Sequence, residues 1–225
     1  MAKLVVALRA STERADPAAL LADAVAHRWR DGARRAVVDA AQPGQTLLVA
    51  AGLRYDGRPH VDAVAWLHTS APSPAPPWRD LAEDLAHDVA GVGHCSVADL
   101  DEHPGWDDTG DATPLGPGAL KMVSFVVGRS DGSAGDFERH YLEHVPVARE
   151  HHPGVCRYVQ NLVRASTASG PLDPDVAAVS ELWYASAEDF LDRFYRSAES
   201  PAAVKADNEE YIDFARTRSV LLLPG

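Results

Sequence analysis

The stretch DFERHYLEHVPVAREHHPG, Asp136 to Gly154, holds four of the ten histidines of this chain. His140 and His144 stand four residues apart, and with Phe137 and Tyr141 they repeat at spacings of three and four. On a helix from Asp136 to Val145 these four side chains share one stripe, while Glu138, Arg139 and Glu143 fall opposite and suit water. Imidazole is the side chain that titrates near neutrality, so a paired set facing inward is suited to taking up and returning protons. An H-x-x-x-H spacing also suits zinc. No third ligand accompanies it, however, and there is no H-E-x-x-H, so no metal is assigned.

Pro146 disfavours helical geometry at Val145 and ends or kinks the helix, which places both histidines in its last turns. A helix C-terminus favours the imidazolium and burial favours the neutral ring, so the two effects oppose each other. Glu181, in VSELW, is expected in mid-strand on the side of Val179 and Trp183. A carboxylate there needs a partner, and a histidine of the helix is the expected one. Tyr158 and Asn161, in CRYVQNLV, lie on opposite faces of their strand, with Tyr158 the better candidate for a pocket. Phe137, Tyr141 and Trp183 read as core or as walls for a flat ligand. His151 and His152, beside Pro153 and Gly154, read as surface turn residues, and Cys156 as a small apolar filler.

The elements that must hold these residues come in two similar sets. Each half opens on a β-favouring run that ends in Arg, AKLVVALR and LKMVSFVVGR. Each continues through a helix (Pro17–Trp29; the histidine helix), two strands, a second helix (Trp78–His87; Ala187–Arg196) and a closing strand. Trp66 and Trp183 fall at matching points, and Val64 stands where the second half has Glu181. The predicted fold is therefore α+β, with tandem ferredoxin-like β-α-β-β-α-β repeats. The runs LVVAL and MVSFVV are apolar on both faces, so each sheet must be covered twice. Placing the two bare faces together gives one barrel with helices outside, an intramolecular dimer. The predicted division is a degenerate repeat at 1–100, an acidic Gly/Pro linker at 101–119 and a site-bearing repeat at 120–225. Thr69–Pro77 and Ala168–Asp175 read as exposed loops, either of which could rim a pocket.

Composition narrows the partners. A formal charge of −12 over 225 residues would repel nucleic acid and anionic membrane, which leaves a small molecule or a protein. Two cysteines without a C-x-x-C spacing give no disulfide framework, and no apolar window reaches spanning length. A cytoplasmic location is expected.

The motifs F-x-x-H-Y-x-x-x-H-x-P, G-V-x-R-Y-V-Q-N, S-E-L-W-Y and S-P, from about Met122 to Leu223, resemble the EthD-like proteins of the dimeric α+β barrel superfamily. Ser200 and Pro201 fit that pattern, and Tyr141 stands where the family usually has tryptophan. The first half resembles it weakly and has only His27 near the place of the histidine pair. The resemblance implies an internal pseudo-dimer, with further homo-dimer formation left open, and one working site per chain. It also implies a small, partly apolar, oxygenated ligand such as a polyketide-derived ring; no cofactor is assigned, since the expected chemistry requires none, and haem binding is a minor alternative. The expected chemistry is elimination, isomerisation or decarboxylation. His144 would be the base, His140 the acid, and Glu181 would orient one imidazole, with Phe137, Tyr141, Tyr158, Asn161 and Trp183 around the substrate. Alternatives are a cofactor-free monooxygenase of phenolic or anthrone substrates and a non-catalytic ligand-binding protein.

Overall fold

A computed structural model describes residues 2–11, 16–28, 34–51, 53, 60–69, 78–89, 91–110, 115–167 and 170–225. Residues 70–77 of the expected Pro-rich loop lie outside the described residues. Strands β1 (Ala2–Ala10), β2 (Arg34–Ala41), β3 (Ala63–Thr69), β4 (Gly93–Asp107), β5 (Leu120–Val127), β6 (Val155–Ser166), β7 (Val176–Tyr184) and β8 (Arg218–Leu223) close into one barrel in the order β1-β3-β2-β8-β5-β7-β6-β4. Both halves show the same neighbour order, fourth strand beside first, first beside third, third beside second. The halves join at two antiparallel seams, β2 with β8 and β4 with β6. A closed sheet has no free edge and two different surfaces, so successive residues of every strand enter different environments.

That alternation explains the continuous apolar runs. On β5 the odd positions Val123, Phe125 and Val127 join Val5, Ala7, Val64, Trp66, Val179 and Val220 in the barrel interior. Even positions face outward, under helices. In the first half, α1 (Pro17–Arg28) and α3 (Trp78–Val89) bring Leu21, Val25, Leu85 and Val89 onto Leu4, Val6, Leu8 and Leu67. In the second half the cover consists of α4 (Ala134–Glu143), α5 (Val145–His151), α6 (Ala187–Asp192) and α7 (Ser200–Asn208), while the short α2 (Thr46–Ala50) of the first half brings Leu48 to the same cluster as Leu120 and Leu221.

Two expectations require correction. Asp101–Asp107, assigned to the linker on its acidic, Gly/Pro-rich composition, continues β4 and pairs with β6 as far as Asp107 opposite Arg157. The register shifts between Pro104 and Trp106 and leaves Gly105 without a partner across the seam, an irregularity at which Pro and Gly are tolerated. Gly105 is required there: a Cβ would stand 2.9 Å from Cδ1 of Tyr158. The predicted helix Ala187–Arg196 is instead the six-residue α6 followed by turns, and a further helix, α7, starts at Ser200.

One end of the interior is ionic. The Lys3 ammonium lies 2.5 Å from both Glu181 and Glu102, and the Lys121 ammonium 2.5 Å from Asp39 and 3.4 Å from Glu181. Trp66 donates its indole N–H to Asp39 at 2.7 Å, and Asn161 donates to Glu181 at 3.1 Å. Lys121 is also sandwiched between Trp66 and Trp183, 4.2 Å from each ring centre. Burial by itself would raise the Glu181 carboxyl, but the two lysines and the Lys3 and Asn161 hydrogen bonds outweigh it and hold the group at about 2. A folded value below the free value of 4.5 adds stability above that pH and loses it as the pH falls toward 2.

Lys121→Met keeps the volume and removes the charge, leaving Asp39 enclosed without a cation. We expect a loss of about 3–5 kcal/mol of unfolding free energy, the usual cost of stranding one partner of a buried pair. Urea unfolding followed by tryptophan fluorescence measures it, and a loss under about 1 kcal/mol would show that the cluster does not hold the halves together.

Candidate functional site

The histidine helix is set by its ends. The Ser133 hydroxyl accepts the Asp136 amide at 3.1 Å and fixes the first turn of α4. At the other end Pro146 lacks the N–H that would continue the helix, and the chain breaks at His144, which caps both α4 and α5. The His144 ring thus leaves from a junction between helices and reaches α7. There its Nδ1 lies 2.6 Å from an Asp207 carboxylate oxygen. Ser200 and Pro201 open α7, and the Ser200 hydroxyl bonds Nδ1 of His151 at 3.0 Å, which docks α7 onto α5 and so locates Asp207.

An ionised carboxylate only accepts, so Nδ1 of His144 carries the proton and Nε2 the lone pair. Burial pushes the His144 imidazole below its ordinary value, against the opposing pull of Asp207. The ring is therefore neutral at neutral pH. His152 follows the same logic: its Nδ1 lies 2.6 Å from the Phe194 carbonyl, which can only accept, and burial lowers its pKa to about 4.

Both rings line a cavity of about 360 Å³ between the outer face of β5–β8 and the helices above it. That volume suits a small organic ligand. Its floor is a row of hydroxyls in strand register, Ser180 opposite Ser124 and Ser124 opposite Ser219. Ser124 and Ser219 are 2.8 Å apart, and the Tyr141 hydroxyl is 2.9 Å from Ser180. Tyr158 adds a further hydroxyl and packs at 5.0 Å on Trp106 of the seam strand. Burial raises both phenols, Tyr158 to about 12, so they remain protonated donors. The arrangement offers a neutral base, a second nitrogen acceptor and a set of hydroxyl donors within largely aromatic and aliphatic walls.

Of the eight residues expected at the site, the cavity brings together His144, Tyr141 and Tyr158. Glu181 does not join them. Ser180 faces the cavity, so its strand neighbour Glu181 must point into the barrel, where Lys3 and Lys121 take it, and the sheet separates it from the histidines. Asn161 and Trp183 lie on the same inner side, against Glu181 and Lys121. His140 sits at the outer rim with Nδ1 3.2 Å from Glu210, outside the cavity lining. Phe137 stacks on Tyr141 at 5.6 Å and serves as packing beneath it. His152, expected on the surface, is buried, and His151 is held by Ser200.

Asp207 was missed because its helix is weakly amphipathic and lies 63 residues beyond His144. The Ser-Pro start is the signal that could have found it, since proline favours a first helical turn. The geometry fixes the titration of His144. In a ¹H–¹⁵N histidine spectrum it should titrate below 6.5, and Asp207→Asn, which removes the interaction favouring the charged ring, should lower the midpoint further. An upward shift would contradict the assigned pairing.

Residues 130–215 match the family model of the EthD domain. No curated protein sequence matches the chain significantly. Among solved structures, a candidate monooxygenase of Fusobacterium nucleatum subsp. nucleatum superposes with a TM-score of 0.56 at 8% identity, over 99% of this chain and 91% of its own. An anthrone oxidase-like protein gives 0.54 at 7% identity over 100% and 91%. A candidate chlorite dismutase gives 0.53 at 11% over 100% and 94%. At such identities the likeness is one of fold. The segment that matches the EthD domain model thus lies in the half that carries the cavity, within a closed eight-strand barrel whose fold these solved structures share.

Proposed function

We propose that this protein is an enzyme that moves protons on a small oxygenated ring compound, of the dehydratase, isomerase or decarboxylase type, with His144 as the general base. The observation that carries the reading is the buried, neutral imidazole of His144, held by Asp207 with its unprotonated nitrogen available to a ligand-sized cavity. Nε2 would take a proton from a carbon beside a carbonyl, or from a phenol. The resulting imidazolium is stabilised by the Asp207 carboxylate, and the developing enolate oxygen by the hydroxyls of Tyr158 and of the Tyr141–Ser180 pair. The proton then returns to another atom of the ring or leaves with a departing oxygen. His152, with its pKa near 4, is too weak a base to compete and suits an acceptor role toward a substrate hydroxyl. The shared strand order of the halves supports reading them as two ferredoxin-like repeats in a pseudo-dimer, of which the second keeps the site.

A second reading uses the same base. Deprotonation of a phenol or anthrone in an aromatic-walled cavity yields a carbanion able to react with oxygen, and one structure of the same fold is named anthrone oxidase-like. Dithranol (1,8-dihydroxyanthrone) is a suitable probe for both. Protein-catalysed deuterium exchange at its methylene, followed by NMR without oxygen, should fall about 10²- to 10⁴-fold in His144→Ala. Oxygen uptake with the same probe separates oxygenation from simple proton transfer. Because the base works unprotonated, the rate should rise with pH through a midpoint below 6.5 and then level off. Saturable binding without exchange or oxygen uptake would instead identify a ligand-binding protein.

A further inference from the structure

The chain carries 33 acidic residues against 21 basic ones, yet among the described residues no carboxylate lines the cavity. Its ionisable lining consists of histidines, tyrosines and one guanidinium, Arg218. Arg218, the first residue of β8, pairs with Phe125 and so falls on the inner side of the sheet, opposite to Ser219; it lies where the cavity meets an adjoining one of about 300 Å³, which shares His60 and is also lined by Asp173 and Arg216. Its Nη1 donates to the carbonyls of Ala215 at 2.6 Å and Thr217 at 3.0 Å. Among the described residues no acceptor engages Nε or Nη2, and no carboxylate lies within ion-pair distance. Asp173 is close enough to feel the Arg218 charge. Its oxygens, however, are committed to Arg216, at 2.5 and 3.0 Å, and Asp175 completes that pair at 2.6 Å.

We propose that Arg218 is a specificity residue that holds a carboxylate of the substrate where the two cavities meet, so that the substrate class is an acidic ring compound. The inference rests on the preceding reading of the cavity as the substrate site. Two carbonyls fix one nitrogen of the guanidinium and leave its other N–H groups for a planar anion, which is the geometry a carboxylate matches. In a chain of net charge −12, an anion would be repelled almost everywhere, so a cavity cleared of carboxylates around a single arginine selects for one.

The test uses 3-hydroxy-2-naphthoate and its methyl ester, titrated by fluorescence against the full chain. The carboxylate should bind about 10- to 100-fold tighter than the ester, and added salt should weaken the carboxylate alone. Arg218→Gln should abolish the difference and leave the ester's affinity unchanged, while Arg218→Lys should keep part of it. Equal affinities in the native protein, no carboxylate binding at millimolar concentration, or an equal loss for both ligands in Arg218→Gln would overturn the proposal. If Arg218→Gln does not fold, the native comparison and its salt dependence still decide. His144→Ala separates the two readings: it should end deuterium exchange and keep the carboxylate preference. A preference seen in a protein that never catalyses exchange supports Arg218 and counts against His144 as base.

Discussion

The pairing of Lys3 and Lys121 with Asp39, Glu102 and Glu181 inside the barrel is the constraint that other features must accommodate. These five residues come from β1, β5, β2, β4 and β7, so strands of both halves contribute. An ion in such a place is tolerated only with its partner in contact. Sliding one half along the other, or opening either seam, would leave a charge in apolar surroundings. The cluster therefore fixes register at the same time as it closes the barrel, and the two tryptophans that matched between the halves in sequence meet on either side of Lys121.

Closure creates two chambers that share one wall. On β7 the step from Ser180 to Glu181 crosses that wall, which places the hydroxyl in the outer cavity and the carboxylate among the lysines. Use of Glu181 inside means that the imidazole outside must be oriented by another group. The carboxylate that does so comes from above, on α7, instead of from the sheet. A carboxylate backing the far nitrogen of a buried imidazole sets its tautomer and leaves the near nitrogen as a base, without placing negative charge in the cavity itself.

Much of this was legible in the sequence. Period-two and period-3.6 patterning located the strands and the main helices, and the apolar character of both faces of β1 and β5 implied a doubly covered sheet. Pro146 announced the break that positions His144. The side of the wall could not be read, because VSELW gives the alternation of its residues without saying which set faces the histidines. A signal was nevertheless present: Lys3 and Lys121 are each the second residue of a largely apolar strand, and a buried lysine calls for a carboxylate. Asp207 and His152 depend on docking between segments distant in sequence, α7 on α5 and the turn at Pro153 on Phe194, for which local pattern offers little guidance. Composition misled at Asp101–Asp107, since a seam strand with a shifted register tolerates Pro and Gly that an inner strand would not.

The halves share a topology and differ in what fills the space over the sheet. Above the first half, Leu4, Val6, Leu8 and Leu67 meet Leu21, Val25, Leu85 and Val89, all buried, and branched side chains of that size close the gap between sheet and helices. Above the second half the outward positions of β5, β7 and β8 include Ser124, Ser180 and Ser219, whose short side chains leave space beneath the helices that Tyr141 crosses to reach Ser180. The helices there are also less continuous: α4 and α5 are broken at His144, and α6 has six residues. Short polar floor residues beneath a broken helix leave a void, and their hydroxyls pair with one another and with Tyr141. The difference between a half that is filled and a half that holds a cavity thus lies largely in a few outward-facing strand positions, where serine stands in place of the aliphatic residues that close the first half.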